Sequence, residues 1–239
     1  DGIKYVAGWA RMAREVHRYG ALLIPQISYV GAAGDIEITE GMKLHRVSDP
    51  IGGDQKQLPG SKVDVDYDPT ADNFETITTE ELKQLEQKYI NAARYAQMAG
   101  CDGVEVHCVS YLIGQLTTSS INHRTDEYGG SLENRIRFAV NVIKGIRETC
   151  GPDFIIGARM PVHKWETDGL TDEESIQIAK TYEAAGCDFL DANNGLPPSV
   201  TALIESQRYE QGARVDQAEL IKKYVSVPVF AVGALREPR

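Results

Sequence analysis

The chain has 239 residues, 42% hydrophobic and 25% charged, with a formal net charge of −10 at pH 7. That is ordinary globular material, enough to bury one sizeable α/β core. No apolar run reaches the roughly 20 residues that span a bilayer, and no secretory pattern opens the chain; the charge is also the wrong sign for wrapping nucleic acid, where Lys and Arg must neutralise phosphates.

A soluble, cytoplasmic protein is therefore expected, with any anionic ligand held by local donors. The four cysteines, Cys101, Cys108, Cys150 and Cys187, show no CxxC spacing. They read as buried free thiols in a reducing cytosol, with no metal or iron–sulfur site among them.

In chain order, Val6, Trp9, Ala10, Ala13, Val16 and His17 keep helical spacing up to Gly20, a residue suited to the position just past a helix end. Ala21 to Gln26 reads as a short buried strand. From about 28 to 78 no period is sustained, and Gly, Asp and Pro are frequent. So long a connection inside a domain reads as a lid or substrate loop. Thr79, as a cap, with Glu80 and Glu81 opens a helix whose buried stripe is Leu82, Leu85, Tyr89, Ala92, Ala93 and Ala96, stopped at Gly100.

The run Gly103-Val104-Glu105-Val106 has the length and β-branched content of a buried strand and delivers His107 at its C-terminal end. A polar passage follows with Ser110, Tyr111, Asn122, Arg124 and Asp126. Ser131 then precedes Leu132, Ile136, Ala139, Ile143 and Ile146, which share one helical face. Phe154 to Arg159 is another apolar strand ending in a polar residue, and its rim loop holds Trp165 and Gly169. Asp172 caps the next helix, through Ile176, Ala179 and Tyr182 to Gly186. AGCDGVEV (99–106) and AGCDFLDA (185–192) repeat one helix-stop, turn and strand device, with Asn193, Asn194 and Gly195 forming a rim. A weaker helix over Gln217 to Tyr224 leads into a strand from Val227 to Gly233.

Five strands alternating with helices, without hairpin signals, mean a parallel sheet, and the helix-Gly-strand grammar suits a (β/α)₈ TIM barrel. Three strands are missing from a closed barrel. The expectation is an incomplete barrel: an internal piece of a longer protein, forming one partial domain over 1–239 with a rim loop at about 28–78.

At the strand ends, His107 reads either as a satisfied structural histidine or, with Ser110 and Tyr111 downstream, as a donor to a substrate carbonyl with a phenol nearby to supply a proton. Arg159 closing a buried strand needs an anion, with a ligand preferred over a structural ion pair. Gln26 could read the donor–acceptor edge of a heterocycle or satisfy a backbone group. Asp126, Arg135 and Arg137 read as helix-entry structure and surface ion pairs.

The stretch HRTDEYGGSLENRIRF (123–138), with His107 on GVEVH upstream and an arginine ending the next strand, closely resembles the old yellow enzyme family of NADH:flavin oxidoreductases. Within that family the chain is most similar to the 2,4-dienoyl-CoA reductase and 2-enoate reductase branch, and weaker agreement covers nearly all of it. The resemblance implies strands three to seven of a barrel that binds FMN, with NADH or NADPH as electron donor. It puts Gln26 at the pyrimidine side of FMN and Arg159 beside flavin N1 and the C2 carbonyl. His107 becomes the first of two residues gripping the substrate carbonyl oxygen, and Gly233 the turn whose amides meet the FMN phosphate.

The implied reaction passes hydride from NAD(P)H through flavin to the C=C bond of an α,β-unsaturated carbonyl or enoyl compound, with Tyr111 or water giving the proton. This chain departs from the family at Ser110, where a second gripping His or Asn is usual. It departs again at Tyr111, four residues after His107 rather than five, and at Tyr29, where many relatives carry His. The shortened turn leaves a catalytically degenerate flavin-binding barrel as the alternative, and an unrelated non-redox TIM-barrel enzyme would share the scaffold alone. The 4Fe-4S cluster and second nucleotide domain of that branch would lie beyond strand eight. No nucleic acid or membrane partner is expected, and a homo-oligomer stays open. The 239 residues alone are expected to fold partially or aggregate.

Overall fold

The computed structural model describes residues 2–33, 42–49, 74–163, 169–194 and 210–235. Seven strands occur among them: β1 (Gln26–Ile27), β2 (Leu44–Arg46), β3 (Phe74–Thr76), β4 (Gly103–His107), β5 (Ile155–Val162), β6 (Phe189–Asn194) and β7 (Val229–Ala231). The helices are α1 (Val6–His17), α2 (Thr79–Met98), α3 (Leu112–Thr117), α4 (Leu132–Arg135), α5 (Arg137–Cys150), α6 (Asp172–Ala185) and α7 (Val215–Lys222). Five strands make one sheet in the order β1-β4-β5-β6-β7, every neighbour parallel, while β2 and β3 pair only with each other.

A sheet that adds each strand on the same side, without turning back, carries its crossover helices to one face and curls around the other. A doubly wound sheet would show a reversal of order. The wall of an α/β barrel is therefore the architecture, as the helix-Gly-strand grammar predicts. Its outer face is sealed by Val104, Val106, Ile156, Ala158, Met160, Leu190 and Ala192, all fully buried. The four cysteines are buried free thiols. Among the described residues no helix is long and apolar enough to cross a membrane.

The echoed AGCD segments perform one task twice. Gly100 (φ 80°) and Gly186 (φ 117°) take the left-handed conformation that ends their helices. Cys101 N–H donates to Ala96 O at 3.0 Å and Gly100 N–H to Gln97 O at 2.9 Å; Cys187 and Gly186 repeat the pattern on Tyr182 O (3.1 Å) and Glu183 O (3.0 Å). Both are Schellman turns. The aspartate that follows then captures a backbone N–H of the preceding barrel strand segment. Asp102 Oδ2 accepts from Leu23 N at 2.7 Å and lies 2.8 Å from His17 Nε2; Asp188 Oδ2 accepts from Ile156 N at 2.8 Å and Arg147 Nη2 at 2.6 Å.

Several sequence expectations shift. The caps of α2 and α6 are Thr78 and Thr171, one residue ahead of Thr79 and Asp172. Each forms a capping box with the glutamate three residues on, and that spacing fixes which residue sits at the cap. Only Gln26 and Ile27 of the first strand are laddered as a strand, although Leu23 O and Pro25 O already accept from Asp102 N and Glu105 N. The passage after His107 contains α3, which periodicity missed because all six of its residues are buried and no polar face marks it. Within 28–78, the described residues include the β2–β3 pair, seated by Val47 and Ile77, each 1% exposed; residues 34–41 and 50–73 of that stretch, with Trp165 and Gly195, lie outside the described residues.

Candidate active site

Strand alternation and register decide which side chains face the barrel interior. Gln26 pairs with Glu105, Glu105 with Gly157 and Gly157 with Phe189, which makes one rung of the inner face. Two residues further along, His107 pairs with Arg159, Arg159 with Asp191 and Asp191 with Phe230. His107, the last residue of β4, and Arg159, the fifth of the eight residues of β5, therefore stand side by side on adjacent staves, with Gln26 one rung below; β5 continues to Val162, past the end expected at Arg159. Gly233, at φ 98° just after β7, lies at the same end of the sheet. Gly157 has no Cβ because the Phe189 ring occupies its place: a Cβ there would come 2.0 Å from Phe189 Cζ.

Two acidic residues on this face hold its donors. Glu105 Oε2 accepts from Gln26 Nε2 at 2.5 Å, and Asp191 Oδ2 accepts from Arg159 Nη1 at 3.0 Å. A carboxylate only accepts, so Glu105 fixes the Gln26 amide with its nitrogen inward and its oxygen left for a ligand N–H. The anion required by Arg159 is, in the protein itself, Asp191. Burial raises the pKa of both acids; on Glu105 the Gln26 hydrogen bond and the Arg159 charge oppose it and the Asp191 charge adds to it, and on Asp191 Arg159 opposes it by charge and hydrogen bond. His107 is pushed down to about 4, by burial first and by the Arg159 cation second, so its imidazole is neutral at pH 7.

The turn after β4 is unusually tight. Tyr111 N–H donates to Val109 O at 2.6 Å, and Ser110 between them sits at φ 61°. A non-glycine residue there is strained. Ser110 is 6% exposed, and its Oγ is buried without a hydrogen-bond partner. Tyr111 lays its ring edge-on to His107, centroids 4.8 Å apart at 70°. His107 Nδ1 is likewise buried and unpartnered. A cavity of about 430 Å³ lined by Ile27, Tyr29, Lys88 and Tyr89 lies on the helix side of β1, away from these groups.

The other polar residues of the long motif tie backbone together. Arg124 donates to Val47 O (2.8 Å) and Ile77 O (2.6 Å), pinning the β2–β3 excursion, and grips Asp126 with Nε and Nη2. Asn122 Nδ2 donates to Leu116 O and Tyr128 O. Arg135 bridges Thr117 O and Glu174, and Arg137 donates to Glu127 O and Asn134. Asp126, Arg135 and Arg137 thus tie structure together, although Arg135, expected in a surface ion pair, is buried at 5% exposure. Asn193 of the expected rim is buried and accepts from Arg214 at 2.6 Å.

Sequence reasoning missed Glu105 and Asp191. The available signal was one acidic residue inside an otherwise apolar strand, Glu105 in GVEVH and Asp191 in FLDA, which alternation sends to the face opposite the helices.

Residues 4–239 match the model of the NADH:flavin oxidoreductase / NADH oxidase family. The chain belongs to that family. It is 38% identical, over its whole length, to 34% of an NADH oxidase of Thermoanaerobacter brockii. It is 34% identical, over 99% of its length, to 36% of a cinnamate reductase of Clostridium sporogenes. The chain thus spans about a third of each of these relatives. Among solved structures, a 2-naphthoyl-CoA reductase complex superposes on 95% of the chain, covering 34% of its own, with TM-score 0.77 and 28% identity. An old yellow enzyme homologue from Zymomonas mobilis superposes on 94%, covering 60% of its own, with TM-score 0.70 and 25% identity.

Members of this family are oxidoreductases that work with FMN and a nicotinamide electron donor, and the inner face suits such a group. It offers an amide oriented by Glu105, a guanidinium oriented by Asp191 and a neutral imidazole, all on one side of the sheet. That donor set matches the alternating acceptors and N–H of a flavin's pyrimidine edge.

Proposed function

We propose that the inner face of this wall binds FMN and that the intact protein reduces a C=C bond conjugated to a carbonyl, with NADH or NADPH as electron donor. The observation that carries the reading is the shared rung of His107 and Arg159, with Gln26 one rung below. When bound, FMN supplies a two-electron carrier that takes hydride from a nicotinamide and gives it to an alkene carbon.

The chain's own residues bind, orient and polarise. Gln26 turns its amide oxygen to the pyrimidine N–H. Arg159 sets a permanent cation at the edge where reduction places negative charge. Gly233 offers backbone amides to the phosphate, a mode of anion binding that needs no bulk positive charge. Nδ1 of His107 is buried, so Nε2 is the ring nitrogen assigned to present the neutral ring's single proton to the substrate carbonyl oxygen. Tyr111, packed on His107, holds a phenol proton close to the carbon that receives it. Ser110 contributes the tight turn that brings Tyr111 against His107. The similar cinnamate reductase and 2-naphthoyl-CoA reductase are named for conjugated acids and thioesters, which points to an enoate or enoyl thioester as substrate class.

In the intact protein, His107→Ala retains FMN and slows enone reduction about 10²- to 10³-fold, the loss expected for one strong donor in the transition state. Turnover unchanged by the substitution rejects the assignment. One observation favours a second reading, a flavin-binding barrel that has lost its chemistry: Ser110 stands where a second gripping residue is expected, and its Oγ is buried without a hydrogen-bond partner. Rapid anaerobic mixing of NADH-reduced protein with an enone separates the two, since only the degenerate barrel stays reduced.

A further inference from the structure

We infer that Asp191 is the positioning residue for the flavin-facing cation: its carboxylate fixes the Arg159 guanidinium and offsets part of its charge, and so sets how strongly the site prefers reduced over oxidised flavin. This rests on reading the inner face as an FMN site.

Asp191 and Arg159 are direct partners across β5 and β6, joined Nη1 to Oδ2 at 3.0 Å. The carboxylate lies behind, with its side chain 7% exposed, and the guanidinium in front at 30%. The pairing is unlike that of the chain's structural carboxylates. Asp102 and Asp188 each cap a strand N–H, and Asp126 gathers Arg124, Thr79 and the Tyr128 N–H. Among the described residues, Asp191 caps no backbone N–H. Its Oδ2 meets Arg159, and its Oδ1 is buried without a hydrogen-bond partner. A buried carboxylate oxygen without a partner calls for an explanation beyond holding the fold.

Among the described residues, the other charged groups that act on Asp191 are Glu105 of β4 and Arg214 ahead of α7, while His107 stands on the far side of Arg159. Glu105 adds a second carboxylate, His107 is neutral at pH 7, and Arg214 donates to Asn193. Arg159 is therefore a cation held between two acids. Two-electron reduction of FMN at neutral pH takes up two electrons and one proton and leaves one net negative charge on the ring. A cation at the ring edge stabilises that charge, and a carboxylate 3.0 Å behind the cation weakens the effect. Removing the Asp191 charge while keeping Arg159 in place must then favour the reduced form.

The test is an anaerobic redox titration of the FMN-loaded intact protein, wild type against Asp191→Asn, which keeps an acceptor for Arg159 and loses the charge. The expected result is at least a tenfold gain in the affinity ratio of reduced to oxidised FMN, read as a midpoint potential about 30 mV higher for this two-electron couple. Asp191→Glu, which restores the charge, brings the potential back toward wild type. A purely structural role would lower the melting temperature and leave the potential where it was, and that result overturns the inference. If Asp191→Asn does not fold, Asp191→Ser is read in the same way; failure of both to fold assigns Asp191 to the scaffold and equally overturns the inference. A wild-type protein that stays colourless with FMN brings down the flavin reading itself, an outcome distinct from a yellow wild type with an unmoved Asp191→Asn potential.

Discussion

His107 shows how burial turns a common residue into a specific tool. An exposed histidine titrates near 6.5, but this one is held neutral down to about 4 by its buried position and the Arg159 cation. Above pH 6.5 the ring is neutral in folded and unfolded chains alike, and it contributes no pH dependence. As pH falls from 6.5 toward 4, the unfolded chain binds a proton that the folded one refuses, so stability is lost across that window. The loss saturates at roughly 3 kcal/mol. Denaturation midpoints of the intact protein between pH 7 and 4 should fall, and His107→Asn should flatten part of that fall. Identical profiles for the two proteins would contradict the buried neutral ring. Glu105 and Asp191, with raised values, act in the opposite sense, so the comparison with the variant isolates the histidine.

Among the elements, the repeated AGCD device makes a quantitative claim. Asp188 holds Ile156 N–H at the start of β5 and Arg147 from α5, joining three consecutive units at one point. Asp188→Ala leaves that N–H without its acceptor, which costs roughly 1–3 kcal/mol. Asp188→Asn, which keeps an acceptor oxygen, should cost less. Thermal melts of the intact protein order the three: wild type highest, asparagine between, alanine lowest. An alanine variant as stable as wild type would show that the aspartate is a passenger in its turn. The device was legible as a repeated string, whereas its physical content was not, since which strand N–H each aspartate reaches depends on packing between units.

For the whole molecule, the sheet among the described residues has two open edges, β1 and β7, each paired on one side only. Next to them lie exposed apolar side chains: Trp9 and Leu22 near β1, Phe230 in β7 and Leu235 shortly after it. Unpaired edges beside apolar surface invite association. Sedimentation of the 239-residue chain alone should therefore show self-association; a monodisperse monomer with one sharp melt would refute this. The barrel class was readable because helix, glycine and strand recur in strict alternation. His107 was readable because it is a polar residue closing an apolar strand; Arg159 stood out as the charge after Phe154 to Ala158, although β5 continues beyond it through Val162. Glu105 and Asp191 were not, because a charge inside an apolar run looks incidental until register shows that Glu105 meets Gln26 and Asp191 meets Arg159. Nor did the sequence show that the tight turn after His107 would bury the Ser110 hydroxyl.

The central claim is that a flavin lies on the inner face with Arg159 at the edge that gains charge on reduction. The midpoint potential of bound FMN, measured at pH 7 in the intact wild type and in Arg159→Met, tests it most directly. The account predicts a lower potential in the methionine variant, because the reduced ring loses its cation; a flavin that binds with the same potential in both proteins would contradict it.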